Sequence, residues 1–155
     1  EDAAQQCDLA VLTVPYVSHE TTLKIIREYI QGKVLIDSTV PLQKDSSRVL
    51  LPKKGSAAME AQDILGPDVK VISALQNIGS HLISSNKPVD AEVLVSGNDE
   101  EAVNTVTQLI EDLDLRSWHA GPLENSAAAE ALTSVLIAIN KKYKLKSSSI
   151  KITSN

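Results

Sequence analysis

The stretch that decides the fold is DLAVLTVPY, residues 8–16. Its aliphatic and β-branched residues continue without the polar alternation of a half-buried strand, and Pro15 ends the run. Such a run predicts a fully buried strand of a parallel sheet that is covered on both faces. The same pattern returns three times, in KVLID at 33–37, VKVISAL at 69–75 and AEVLVSG at 91–97.

Segments with helical spacing lie between these strands. Ser18 is predicted to cap a helix that ends at Gly32, and Ser56 opens a second helix. Acidic residues from Asp99 onward begin a third, because the positive end of the helix dipole favours them. A long helix with Asn125 as its cap is predicted over about 126–143. Its predicted inward-facing residues are Ala128, Leu132, Val135, Leu136 and Ile139.

The remaining segments give weaker predictions. A short strand is predicted near 116–119, and SIKIT at 149–153 is a candidate for a final strand. Residues 43–54 and 76–90 lack periodicity and are predicted to be loops. The alternation of strands and helices predicts an α/β fold with a doubly wound parallel sheet.

The composition excludes several classes of protein. The chain has 155 residues, a net charge of −5 and only 3% aromatic residues, so it lacks the field and the rings of a nucleic-acid binder. Cys7 is the only cysteine, which rules out an internal disulfide, and it is predicted to be a buried inert thiol. No apolar run reaches about 18 residues. We therefore expect a cytoplasmic protein that binds neither membrane nor nucleic acid.

The carboxyl ends of the predicted strands are the expected ligand site. Open α/β sheets bind ligands beyond these ends, which here are 13–16, 38–41 and 76–80. Each carries small or polar groups, and two place a proline directly after a valine. A single such junction is more often an ordinary turn, but three on one edge favour a wall against which a flat cofactor ring can lie.

Other chemistry is sparse in the sequence. No GxGxxG follows the first strand, so a phosphate-binding loop is missing from the chain. The three histidines, His19, His81 and His119, lack metal-ligand spacing and are predicted to be solvated. We therefore expect no metal site and no residue with a catalytic acid–base role.

The chain as a whole resembles the NADPH-dependent reductases of the deazaflavin coenzyme F420. The resemblance covers nearly all of it, and its most specific part is the AGPLENS…EALTS…IN run with the basic residues and the tyrosine that follow. The matching stretches are DLAVLTVPY (8–16), KVLIDSTVPL (33–42), the segment 55–82, DAEVLVSGNDEEA (90–102) and the segment 115–153.

This resemblance implies a function. It implies a Rossmann-like NADP-binding domain over 1–82 and a smaller C-terminal domain over 83–155 on the deazaflavin side, with a homodimer expected. The family transfers a hydride between the nicotinamide of NADPH and C5 of the deazaflavin, so the implied cofactors are NADP and coenzyme F420. Such a transfer needs positioning of two rings rather than a general acid.

Site residues can be carried over by position. The resemblance places Tyr16, Val40 and Ser80 on the NADPH side and Ser148 near the deazaflavin. Their neighbours on the NADPH side are Thr13, Pro15, Pro41 and Asn77.

The sequence departs from the family pattern in two places. Gln76 and Gly79 stand where His and Pro are expected, which leaves open how the deazaflavin is held. The family also begins with a glycine-rich βαβ unit that is not in this sequence. We therefore expect a fragment, in which the strand at 8–14 has an unpaired apolar edge.

Two alternatives stay open at this point. The turns after the first two strands would also suit another Rossmann-type NADP-dependent reductase of the imine or pyrroline-carboxylate class. The nearly all-apolar stretch Ala127–Ile139 would suit a non-catalytic dimerisation fragment.

Overall fold

A computed structural model describes residues 2–42, 45–84 and 88–154. In the described residues five strands form one sheet in the order β1-β2-β3-β4-β5. The strands are β1 Leu9–Leu12, β2 Val34–Asp37, β3 Lys70–Ser73, β4 Glu92–Gly97 and β5 Arg116–His119. The helices are α1 Asp2–Gln6, α2 Tyr16–Ile26, α3 Ala57–Leu65, α4 Ser80–Ile83, α5 Glu100–Glu111 and α6 Ser126–Tyr143, and two short 3-10 turns cover Arg27–Tyr29 and Leu123–Asn125.

The sheet confirms the predicted α/β architecture and corrects one strand direction. Strands β1, β2 and β3 are parallel, and Leu12, Asp37 and Ser73 lie side by side at their carboxyl ends. Strand β4 runs antiparallel to β3 and parallel to β5. A parallel connection usually returns through a long crossover helix. Between β3 and β4 the described chain offers only the four-residue helix α4, which lies in a segment predicted to be a loop.

Two apolar clusters cover the two faces of the sheet. Leu35 packs with Leu23 of α2 and Leu65 of α3 on one face. Ile72 packs with residues of α5 such as Val106 on the other. Strand β1 is not fully buried as predicted, because in this structure it pairs on one side only, and Val11 is 46% exposed.

Three local predictions differ from the structure. Ser18 does not cap α2, because the extended backbone of Pro15 already starts the helix at Tyr16, and the Ser18 amide donates to the Pro15 carbonyl. Asn125 holds the cap position of α6, but its side chain donates to the Ala120 carbonyl instead. Residues 149–153 form no strand, and two hydrogen bonds join them to Glu92 of β4.

Helix α6 has the predicted bounds but a different buried face. Of the residues predicted to face inward only Leu136 is buried, while Ala128 and Val135 are exposed. The inner side of α6 meets polar groups of α3 and of the loop after β3, so small and polar residues face inward there. The buried residues are Ser126, Ala129, Glu130, Ser134 and Leu136. No helix in the described ranges is long and apolar enough to cross a membrane.

Candidate cofactor cleft

The segments predicted to form the site follow the carboxyl ends of the three parallel strands, at one edge of the sheet. Because β1, β2 and β3 are adjacent and in register, the residues that follow them leave the sheet at one edge. Thr13 follows β1, Val40 lies three residues after β2, and Asn77 lies four residues after β3. The structure therefore brings these three predicted segments to one edge of the sheet.

The predicted site residues differ in their solvent exposure. Thr13, Pro15 and Ser80 are exposed, whereas Pro41 and Asn77 are buried. Half-buried side chains are Tyr16, Val40 and Ser148. Their roles toward a cofactor stay predictions.

The C-terminal tail returns to the same edge. The Ser148 hydroxyl donates to the Leu136 carbonyl over 3.3 Å. The neighbouring Ser147 Oγ lies 3.4 Å from the point that a Cβ on Gly79 would occupy. The tail that carries the predicted deazaflavin-side residue is thus close to the loop after β3.

Asn77 links that loop to α6. Its amide nitrogen donates to the Ala129 carbonyl over 2.7 Å and to the Thr133 hydroxyl over 3.1 Å. The Thr133 hydroxyl in turn donates to the Gln76 carbonyl over 2.9 Å. These bonds use the amide nitrogen of Asn77 inside the protein, so any contact with a cofactor would fall to its other atoms.

Tyr16 lies between the strand edge and a cavity on the helical face. Its hydroxyl donates to Glu60 Oε2 over 2.8 Å. Burial, together with this hydrogen bond and nearby carboxylates, raises the pKa of Tyr16 to about 12, so the phenol is neutral at physiological pH. The cavity has a volume of about 900 Å³, and its lining includes Tyr16, Val17, Leu42, Lys54, Glu60 and Ile64.

His19 and Asp37 form a buried pair that the sequence analysis missed. His19 is 1% exposed rather than solvated, and its Nε2 lies 2.7 Å from Asp37 Oδ2, on a side chain that is fully buried. Asp37 also accepts from the Thr39 amide over 2.9 Å. The sequence did contain an indication of this pair, because the apolar run KVLID at 33–37 ends in the acidic residue Asp37. His81 and His119 are exposed, as predicted.

Glu130 is a second buried acid that the sequence analysis did not assign. It is 1% exposed, and its carboxylate accepts from the amides of Ala57 over 2.8 Å and Ala58 over 3.2 Å. Burial raises the pKa of Glu130 to about 7, against the opposing effect of the two amides. Its signal in the sequence is a lone acid inside the apolar stretch 127–139.

Unpaired polar atoms and a strained backbone mark the ends of β2 and β3. Thr39 Oγ1 and Gln76 Oε1 are buried and have no hydrogen-bond partner among the residues that the structure describes. Leu75 has a φ of 74°, a left-handed conformation that non-glycine residues adopt at some cost. Among the described residues no group of three or more His, Cys, Asp or Glu side chains could hold a metal ion.

Known proteins resemble this chain over nearly its whole length. No protein-family model matches it. The F420-dependent NADP reductase of Methanocaldococcus jannaschii is 38% identical over 159 residues, which cover 99% of this chain and 71% of that protein. The F420-dependent NADP reductase of Methanothermobacter marburgensis is 35% identical over 98% of this chain and 71% of its own length.

Solved structures also resemble this chain. A putative F420-dependent NADP reductase from Arthrobacter sp. FB24 superposes with a TM-score of 0.86 at 25% identity, over 99% of this chain and 72% of that one. A pyrroline-5-carboxylate reductase from Coxiella burnetii reaches a TM-score of 0.55 at 14% identity over 94% and 51%, which shows a shared fold alone. Because the two named relatives are 38% and 35% identical to this chain and the matches cover 71% of each of them, the chain belongs to the family of F420-dependent NADP reductases.

Proposed function

We propose that this protein catalyses hydride transfer between NADPH and coenzyme F420, and that the chain supplies the ring-facing side of the cleft. The observation that carries the proposal is the family membership, with relatives named F420-dependent NADP reductase at 35–38% identity. The aligned ends of β1, β2 and β3 supply a place for the rings, at the edge where α/β folds bind nucleotides.

When bound, NADPH supplies the hydride and the deazaflavin accepts it. The chain's own residues position the rings and exclude water. Pro15 and Pro41 fix the exits of two strands and present no backbone donor that would hold water there.

Individual contacts belong to this proposal. Tyr16, Val40 and Ser80 face the nicotinamide, with Thr13, Pro15, Pro41 and Asn77 around them, and Ser148 faces the deazaflavin. The division into an NADP-binding domain over 1–82 and a deazaflavin-side domain over 83–155 is also a proposal, although β4 extends the sheet of β1–β3 across that boundary.

A homodimer is part of the same proposal. It is supported by the outer face of α6, where Val135 is 43% exposed and Leu132 and Ile139 are only half-buried. A cytoplasmic location stays a prediction of the sequence.

The named relatives favour this function over the alternatives. Likeness to pyrroline-carboxylate reductases is limited to the fold, at 14% identity. The experiment that tests the proposal compares acceptors at saturating NADPH. We expect the purified protein to reduce F420 and to leave FMN nearly untouched. Equal rates with both acceptors would contradict the proposal.

A further inference from the structure

Helix α6 is joined to α3 by a buried acid. Glu130 lies on α6, and its two carboxylate oxygens accept from the amides of Ala57 and Ala58, the first two residues of α3. These residues are more than 70 positions apart in the chain. Helix N-termini leave such amides unpaired unless a local side chain or water serves them. In this protein Glu130, from a helix distant in the sequence, accepts hydrogen bonds from two of these amides.

Neighbouring hydroxyl groups strengthen the same junction. The Ser126 hydroxyl at the start of α6 donates to Ser56 Oγ over 2.7 Å, and both side chains are fully buried. Ser56 Oγ also accepts from the Met59 amide over 3.0 Å, which caps α3. The amides of the first three residues of α3 are therefore all paired, and Glu130 pairs two of them.

Helix α6 also contacts the loop after β3. Thr133 and Ala129 bind Gln76 and Asn77 of that loop. Helix α6 thus touches both the helix that follows the β2 loop and the loop that follows β3. Those two loops carry Val40 and Asn77, which are predicted to face the nicotinamide.

We infer that Glu130 is a positioning residue for the reaction, whose carboxylate holds α6 at a fixed place against the carboxyl edge of the sheet. The inference rests on the proposed function for its effect on catalysis. Because Glu130 is buried, it acts through α3 and α6 rather than by touching a cofactor. Hydride transfer is sensitive to small changes in the distance between donor and acceptor carbons, so a small displacement of α6 reduces turnover.

The test compares Glu130→Gln with a matched control, Asp99→Asn. Asp99 also places a carboxylate at a helix N-terminus, where it accepts from the Ala102 amide over 2.8 Å. It caps α5, which packs on β4 and β5 and lies outside the α3–α6 junction. Both changes replace a helix-capping carboxylate by an amide.

Two readouts separate positioning from general damage. In Glu130→Gln we expect kcat at saturating NADPH and F420 to fall by about ten- to a hundredfold, while the dissociation constant of NADPH is unchanged. Without cofactors, we expect the amides of Ala57 and Ala58 to exchange with deuterium faster than in the wild type. Asp99→Asn should change neither quantity.

A second variant covers the case in which the amide destabilises the fold. Glu130→Asp keeps the charge but shortens the side chain by one methylene group, and we expect intermediate values of kcat and of amide exchange. Wild-type kcat together with wild-type exchange in folded Glu130 variants would overturn the inference. If the wild-type protein itself fails to reduce F420, the proposed function fails, whereas faster exchange at Ala57 and Ala58 would still support the role of Glu130 in holding α6.

Discussion

Glu130 and His19 are the residues at which sequence reasoning was least successful. The sequence predicts a solvated ring for His19 and assigns no role to Glu130, yet each side chain is about 1% exposed. Their burial depends on partners far along the chain: Asp37 for His19, and Ala57 and Ala58 for Glu130. Periodicity reports local spacing, so it could not identify partnerships formed only after the sheet and α6 come together.

The titration of Glu130 gives a prediction for stability. Its pKa in the folded protein is about 7, against 4.5 for an ordinary glutamate. The folded state therefore binds a proton more tightly than the unfolded state, and this group lowers the free energy of unfolding as pH rises from about 4.5 to about 7. The shift corresponds to about 3 kcal/mol. The charged neighbours that act on it are Asp37, which raises its pKa, and His19, which lowers it.

Urea denaturation at pH 5 and pH 8 measures this effect. We expect Glu130→Gln to remove most of that loss of stability between the two pH values, because glutamine does not titrate. The difference between wild type and variant isolates this group from every other titrating residue. An identical pH dependence in the two proteins would show that Glu130 is already ionised at pH 5.

At the scale of elements, the sequence predicted most strands and helices well. The apolar runs of β1 to β4 and the bounds of α6 follow from local composition and period. The direction of β4 and the inner face of α6 do not, because both depend on which surfaces meet. The antiparallel direction of β4 goes with a connection after β3 in which the described residues form no long crossover helix, and the polar inner face of α6 follows from the amides of α3 that it satisfies.

The outer face of α6 gives a prediction about assembly. We expect Val135→Lys to convert the proposed homodimer into monomers, because it places a charge in an apolar interface. Val49→Lys is the matched control, since that valine is 47% exposed, close to the 43% of Val135, but lies in the loop after β2. Light scattering after size-exclusion chromatography reports the mass. A dimer that survives Val135→Lys would locate the interface elsewhere.

At the scale of the whole molecule, the proposed site of the two cofactor rings lies at the carboxyl ends of β1, β2 and β3. The strand order places the predicted nicotinamide-side segments on one edge, and the C-terminal tail brings Ser147 beside Gly79 at that edge. The pattern of the sequence predicted a ligand site at this edge of the sheet, but it did not identify the ligands. The identity of the ligands came from the extended match to a family, because ring-facing surfaces of backbone and aliphatic groups are shared by many reductases.

The most direct test of the central claim follows the transferred hydrogen from the nicotinamide to the deazaflavin. NADPH that carries deuterium at the transferred position of the nicotinamide should pass the label to C5 of F420 in a single turnover with the purified protein. We predict that the reduced deazaflavin contains the deuterium and that the surrounding water contains none, as measured by mass spectrometry. Unlabelled reduced F420, or no reduction at all, would contradict direct hydride transfer in this cleft.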